Sequence, residues 1–196
     1  MNDKTVLWEV ADGVGRITLN RPETLNAWTA QFGTELRDIV TGPAVGIGCS
    51  LALAGDLVMA AESAFFGLAF VNIGLMPDGG STLFVPAAVG KARAFQMALL
   101  GERVPARQAL EWGLVNWVHP DDRLLDEASA LASGLAKGPT RSYAGSKRAL
   151  NRMIYPDLDG QLDLEAEIQH ELARSNDFLE GAGAFVEKRD PAFTGS

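Results

Sequence analysis

Short apolar-rich runs at Val6-Leu-Trp-Glu-Val10 and Val14-Gly-Arg-Ile-Thr-Leu19 predict two strands. Asp12-Gly13 between them predicts a tight hairpin, because both central residues of a type I′ turn need positive φ. Asn20 to Asn26 is a loop, and Thr29 to Val40 reads as an amphipathic helix with Phe32, Leu36, Ile39 and Val40 on one side. A glycine-spaced turn, Gly42-Pro-Ala-Val-Gly-Ile-Gly48, then opens a buried helix over Ile47 to Ala54. Asp56 to Ala60 reads as a short strand, and Ala64 to Ile73 as an apolar segment broken at Phe65-Phe66-Gly67. Helices are predicted over Gly80 to Val89 and Lys91 to Leu100, separated at Gly90, and over Pro105 to Trp112 with Gly113 as C-cap. Leu114 to Val118 reads as a strand. From Arg123 the pattern is helical, over 123–137, 139–152, 161–174 and 176–188. The expected organisation is a strand-and-turn body at 1–122 followed by a helical region at 123–196.

Composition narrows the function classes. With 196 residues, 47% of them apolar, the chain can bury one substantial core. A net charge of −8 disfavours a nucleic-acid-binding role, although a local basic pocket could still take a phosphate. The one cysteine, Cys49, excludes an internal disulfide framework and fits a reducing compartment. His119 and His170 lie far apart without metal-ligand spacing, so no metal site is expected. The polar start, Met1-Asn-Asp-Lys-Thr5, has no apolar signal core, and the apolar stretches are broken short of a membrane span. A cytoplasmic location without membrane partners is the expectation.

Two segments carry chemistry. Pro77-Asp-Gly-Gly-Ser-Thr82 sets one carboxylate between an apolar run and an apolar helix. Asp78 is there either a desolvated acid/base, better able to take a proton from carbon, or the cap of the helix that begins near Gly80. Gly46-Ile47-Gly48 at a helix start offers exposed backbone N–H groups, or else a tight helix-packing turn. An acid/base beside backbone donors suggests chemistry at a carbonyl.

These segments, with Ile17 to Ala27, Gly42 to Asp56, Phe66 to Thr82, Ala109 to Val115 and Glu180 to Pro191, resemble the signatures of the enoyl-CoA hydratase/isomerase (crotonase) family in the family's order. The resemblance implies a crotonase-like α/β fold: a spiral of β-β-α units with a helical C-terminal trimerisation region. It implies a homotrimer or dimer of trimers, and an acyl-CoA thioester as substrate with no separate cofactor. The Ile47 backbone N–H, with Gly46 beside it, would supply one oxyanion donor. The second donor would come from a stretch that the chain lacks between Val40 and Thr41. That stretch is either deleted or left out, and omission is favoured because a direct splice would remove a core strand and half the oxyanion hole.

The two glutamates of the family's hydratases fall at Ser50 and Phe70, neither of which can act as a carboxylate base. Asp78 instead resembles the aspartate of the phenylacetate-pathway isomerase branch. Arg21, Leu25, Ala27 and Gly48 would border the CoA site; Leu68, Phe70 and Phe84 would wall the acyl pocket; Phe185 and Lys188 would meet the nucleotide, Phe covering adenine and Lys meeting phosphate. Plain structural roles remain open for Arg21, Phe185 and Lys188. The expected function is an acyl-CoA isomerase that moves a double bond through a thioester enolate. The alternatives are another crotonase reaction, hydration or dehalogenation, and a non-catalytic CoA-binding or assembly subunit.

Overall fold

A computed structural model describes residues 6–11, 14–19 and 44–196. Strands β1 (Val6–Ala11) and β2 (Val14–Leu19) pair antiparallel, from Val6 opposite Leu19 to Ala11 opposite Val14. Next come β3 (Ala44–Val45), α1 (Ile47–Leu53), β4 (Met59–Ala61), β5 (Phe65–Gly67) and a 3-10 turn at Ala69–Ile73. The long helix α2 (Ser81–Leu100) leads through β6 (Val104–Pro105) and α3 (Ala106–Trp112) to β7 (Trp117–His119). Helices α4 (Leu124–Ala136), α5 (Thr140–Ile154), α6 (Leu158–Leu172) and α7 (Asn176–Glu187) complete the chain. β5 lies between β3, which it meets in parallel, and β6, which it meets antiparallel; β4 pairs with β7 in parallel. The hairpin turn at Asp12-Gly13, the helix expected over Thr29 to Val40, the Val40–Thr41 junction, Arg21, Leu25 and Ala27 lie outside the described residues.

The two helices expected on either side of Gly90 are present: the long element is broken by a kink there, where Gly90 takes the non-helical φ 75° and ψ 170°. By length and composition this helix is apolar enough to cross a membrane. Here it turns Val85, Val89, Ala94 and Met97 into the core. The strand expected over Leu114 to Val118 begins at Trp117, because Leu114 and Val115 are core side chains of the link from α3. The strand expected over Asp56 to Ala60 is Met59–Ala61, set by its pairing with β7.

The helical region packs onto the strand-and-turn body. α4 packs against β2, β4 and β7, with Leu124 in the common core and Arg16 Nη2 donating to Ser129 Oγ at 2.6 Å. α6 lies against α2, and α7 against the 3-10 turn. Close approach of α7 needs glycine: a Cβ on Gly181 would lie 2.6 Å from Ile73 Cα. The core gathers Cys49, Phe66, Leu68, Val85, Met97 and Val104 between α1, α2 and the short sheets. It fixes the starts of α1 and α2 side by side.

Candidate active site

Gly46 opens α1 with φ 58° and ψ −128°, a backbone conformation open to glycine. Its N–H donates to Gly67 O at 2.9 Å, and its carbonyl accepts from Cys49 N at 2.9 Å and Ser50 N at 3.3 Å. Helix geometry leaves the first N–H groups without intrahelical acceptors. Among the described residues, the N–H groups of Ile47 and Gly48 have none. The Phe70 ring stands beside this turn, 3.7 Å from where a Gly46 Cβ would be. The start of α1 therefore offers free donors next to an aromatic face.

The Asp78 loop lies directly against that helix. Gly79 takes φ 64°, and a Cβ there would meet Ile47 Cδ1 at 2.3 Å and Ser50 Cβ at 3.3 Å. Ser50, fully buried, donates through Oγ to the Asp78 carbonyl at 2.7 Å. Ser81 adds its Oγ at 2.9 Å and its N–H at 3.3 Å to the same carbonyl. The Ser50 hydroxyl thus ties α1 to the Asp78 loop. Partial burial raises the Asp78 carboxyl from its ordinary value. A hydrogen bond from Gln169 opposes that rise, and the charge of Glu165 adds to it.

The Asp78 carboxylate does not cap α2. That role belongs to Glu165, 1% exposed on α6. Its Oε2 accepts from Gly80 N at 2.7 Å and its Oε1 from Thr82 N at 3.1 Å, with the Thr82 hydroxyl bonded to Oε1 as well. A buried carboxylate at a helix N-terminus satisfies orphan donors and is favoured by the helix dipole. One turn away on either side, Gln161 Nε2 reaches Thr82 Oγ1 at 2.9 Å, and Gln169 Nε2 reaches Asp78 Oδ2 at 2.8 Å and Met76 O at 3.0 Å. Gln169 Oε1 also accepts from Met76 N at 3.3 Å.

Sequence reading missed all three of these residues. Their signal was present: Gln161, Glu165 and Gln169 recur every four residues on the stripe that also carries the partly buried Leu158, Ile168 and Leu172. Polar residues on the inward stripe of a helix need buried partners.

The other expected site residues are scattered. Leu68 is 2% exposed and belongs to the core, so it offers no open wall. Phe84 is partly buried, its ring edge-to-face with Tyr155 at 5.2 Å and crowded against Gly80. Gly48 is buried in α1. Phe185 is exposed at the end of α7, lining a 420 Å³ cavity with Leu99, Leu100 and Phe193. Lys188 is exposed and ends α7 at φ 55°. Cys49 is fully buried, and desolvation pushes its thiol up to about 12, which removes thiolate chemistry at neutral pH. Among the described residues no three His, Cys, Asp or Glu side chains converge to hold a metal ion.

Residues 38–196 match the enoyl-CoA hydratase/isomerase family model. The chain belongs to the enoyl-CoA hydratase/isomerase family. It has the family's crotonase-like fold: a crystal structure of an enoyl-CoA hydratase from Mycobacterium avium subsp. paratuberculosis K-10 superposes with a TM-score of 0.90, at 38% identity, covering 97% of this chain and 98% of that one. Among family relatives, the 1,2-epoxyphenylacetyl-CoA isomerase of Escherichia coli K12 is 47% identical over 156 residues, which is 80% of this chain and 60% of that protein. A Rhodobacter capsulatus protein named "Probable enoyl-CoA hydratase" is also 47% identical, over 256 aligned positions that cover the whole of both chains. Since this family member has 196 residues, that relative carries internal residues that it lacks.

Proposed function

We propose that this protein is an acyl-CoA isomerase in which Asp78 moves a proton along the acyl chain. The observation that carries the reading is a half-buried Asp78 carboxyl, raised from its ordinary value by burial, on a loop packed against the start of α1, where the Ile47 and Gly48 N–H groups are free among the described residues. In this scheme the Ile47 N–H, beside Gly46, donates to the thioester oxygen. Asp78 takes the C2 proton of a 3-enoyl thioester, and the electron pair spreads onto that oxygen. The pair then returns through C2 and C3, and the proton held by Asp78 is delivered to C4, leaving the double bond between C2 and C3. Protons and electrons balance without a redox or metal group. CoA enters only as part of the substrate. A carboxylate whose pKa is raised matches a weakly acidic carbon better than an unperturbed one, and preorganised donors stabilise the developing oxyanion.

The Escherichia coli isomerase and the Rhodobacter capsulatus probable hydratase are equally identical to this chain, so the preference for isomerisation rests on the site. Its support is the chemistry of Ser50, which is occupied with the Asp78 carbonyl, and of Phe70, which has no ionisable group. Arg21, Leu25, Ala27, Phe185 and Lys188 are proposed to contact CoA, with Phe70 and Phe84 near the acyl group.

A homotrimer or dimer of trimers is proposed for the assembly. Its support is apolar surface on the C-terminal helices, where Met153 is 82% and Phe185 76% exposed. Sedimentation equilibrium reads this directly, and a monomer at micromolar concentration would overturn it.

The functional test is conversion of straight-chain 3-enoyl-CoA thioesters to conjugated 2-enoyl-CoA in D₂O, followed by absorbance and deuterium uptake. D78N is expected to lose roughly 10²–10⁴-fold in rate while still binding the thioester. Undiminished turnover by D78N would overturn the assignment, and hydration without double-bond migration would favour the hydratase reading.

A further inference from the structure

The brace from α6 deepens this reading and rests on it. Met76, Asp78, Gly80 and Thr82 alternate along the loop, and α6 meets all four through Gln169, Glu165 and Gln161. The contact to Asp78 differs in kind from the others. Gln161 and Glu165 satisfy the backbone and hydroxyl groups at the start of α2, whereas Gln169 reaches the carboxylate itself. Its Nε2 bridges Asp78 Oδ2 at 2.8 Å and Met76 O at 3.0 Å. Its Oε1 is tied to Met76 N at 3.3 Å, so the amide cannot turn over without breaking the brace. Among the described residues, Asp78 Oδ1 has no hydrogen-bond donor.

We propose that Gln169 is a positioning residue for the Asp78 base: by donating to Oδ2 it fixes the carboxylate and leaves Oδ1 as the oxygen that takes and returns the substrate proton. The charged group facing Asp78 is Glu165, from the same helix; Ser50 of α1 and Ser81 of α2 reach only its carbonyl. Glu165 disfavours a second negative charge nearby, and the Gln169 amide offsets that effect. Gln169 thus sets both the direction and the charge state of the base.

The test is the pH profile of kcat for isomerisation of straight-chain 3-enoyl-CoA thioesters, with deuterium exchange at C2 as a second readout. Wild type, Q169L, Q169E, Q161L and D78N are compared. A hydrogen bond to an ionised group is worth enough to move the acid limb of Q169L up by about one pH unit, which is roughly a tenfold loss below that limb. Q169E replaces the donor by a like charge and is expected to move the limb further up. It keeps the side-chain shape if Q169L folds poorly. Q161L, on the same face but bonded to Thr82, is expected to leave the limb in place.

A Q169L profile that superimposes on wild type overturns the inference. So does one that is lower at every pH with its limb unmoved, or one matched by Q161L. Failure of the isomerase reading itself looks different: wild type neither isomerises nor exchanges, or D78N does so as fast as wild type.

Discussion

Replacing Glu165 with alanine would remove a carboxylate that is 1% exposed and accepts three hydrogen bonds, from Gly80 N, Thr82 N and the Thr82 hydroxyl. Each buried donor left without an acceptor costs about 1–3 kcal/mol, and loss of a helix cap alone costs about 1 kcal/mol. The three donors adjoin one another, so their costs overlap, and a water entering the polar gap recovers part of the loss. The expected destabilisation is about 3–5 kcal/mol, a large share of the ~5–15 kcal/mol that holds a domain folded. For a chain of this size that lowers Tm by about 6–20 °C. E165Q keeps the shape and one acceptor oxygen but turns an amide N–H toward another donor, so about 1–2 kcal/mol is expected. Urea unfolding at fixed protein concentration measures both, with the slope m unchanged if the denatured state is unaltered. An E165A midpoint within about 0.5 kcal/mol of wild type, the range of ordinary surface substitutions, would refute the assignment of Glu165 as the buried cap of α2.

Two further outcomes follow from the same geometry. The Asp78 carboxyl is raised in the folded state, so the fold favours its protonated form. The stability this contributes is complete below the ordinary carboxylate pKa and is lost as pH rises through the raised one. D78N should therefore be more stable than wild type at neutral pH, with the gap closing in acid; denaturant midpoints across that range measure it, and a gap constant with pH would contradict it. G79A forces a side chain into φ 64° and places Cβ 2.3 Å from Ile47 Cδ1. The left-handed backbone costs about 1–3 kcal/mol, and the displaced Ile47 should lower kcat even where the protein remains folded; wild-type turnover at full occupancy would show that the loop and α1 are not coupled.

Much of this protein is legible in its sequence because the signals are local. Gly46, Gly79, Gly90 and Gly113 mark backbone positions with positive φ, and each falls at a turn, a kink or a helix end. Pro105 and Gly113 bracket α3 as their backbone chemistry requires. The ordered motifs from Gly42 to Asp56 and from Phe66 to Thr82 pointed to the family, since each constrains a short stretch by itself. What Asp78 does with its carboxylate was not decided locally. A cap and a base leave the same residues in Pro77-Asp-Gly-Gly-Ser-Thr82. Only the arrival of α6, some eighty residues later, separates them: Glu165 takes the cap, and Asp78 is left to Gln169. Hydrogen bonding between distant segments depends on which helix faces which loop, and no periodicity within either segment encodes that pairing. The same holds for Leu68, whose apolar character fits a pocket wall as well as a core, and which packing places in the core. Local backbone chemistry determined the turns, caps and family; the meeting of α1, α2 and α6 decided which acid is buried as a strut and which is left with an oxygen free.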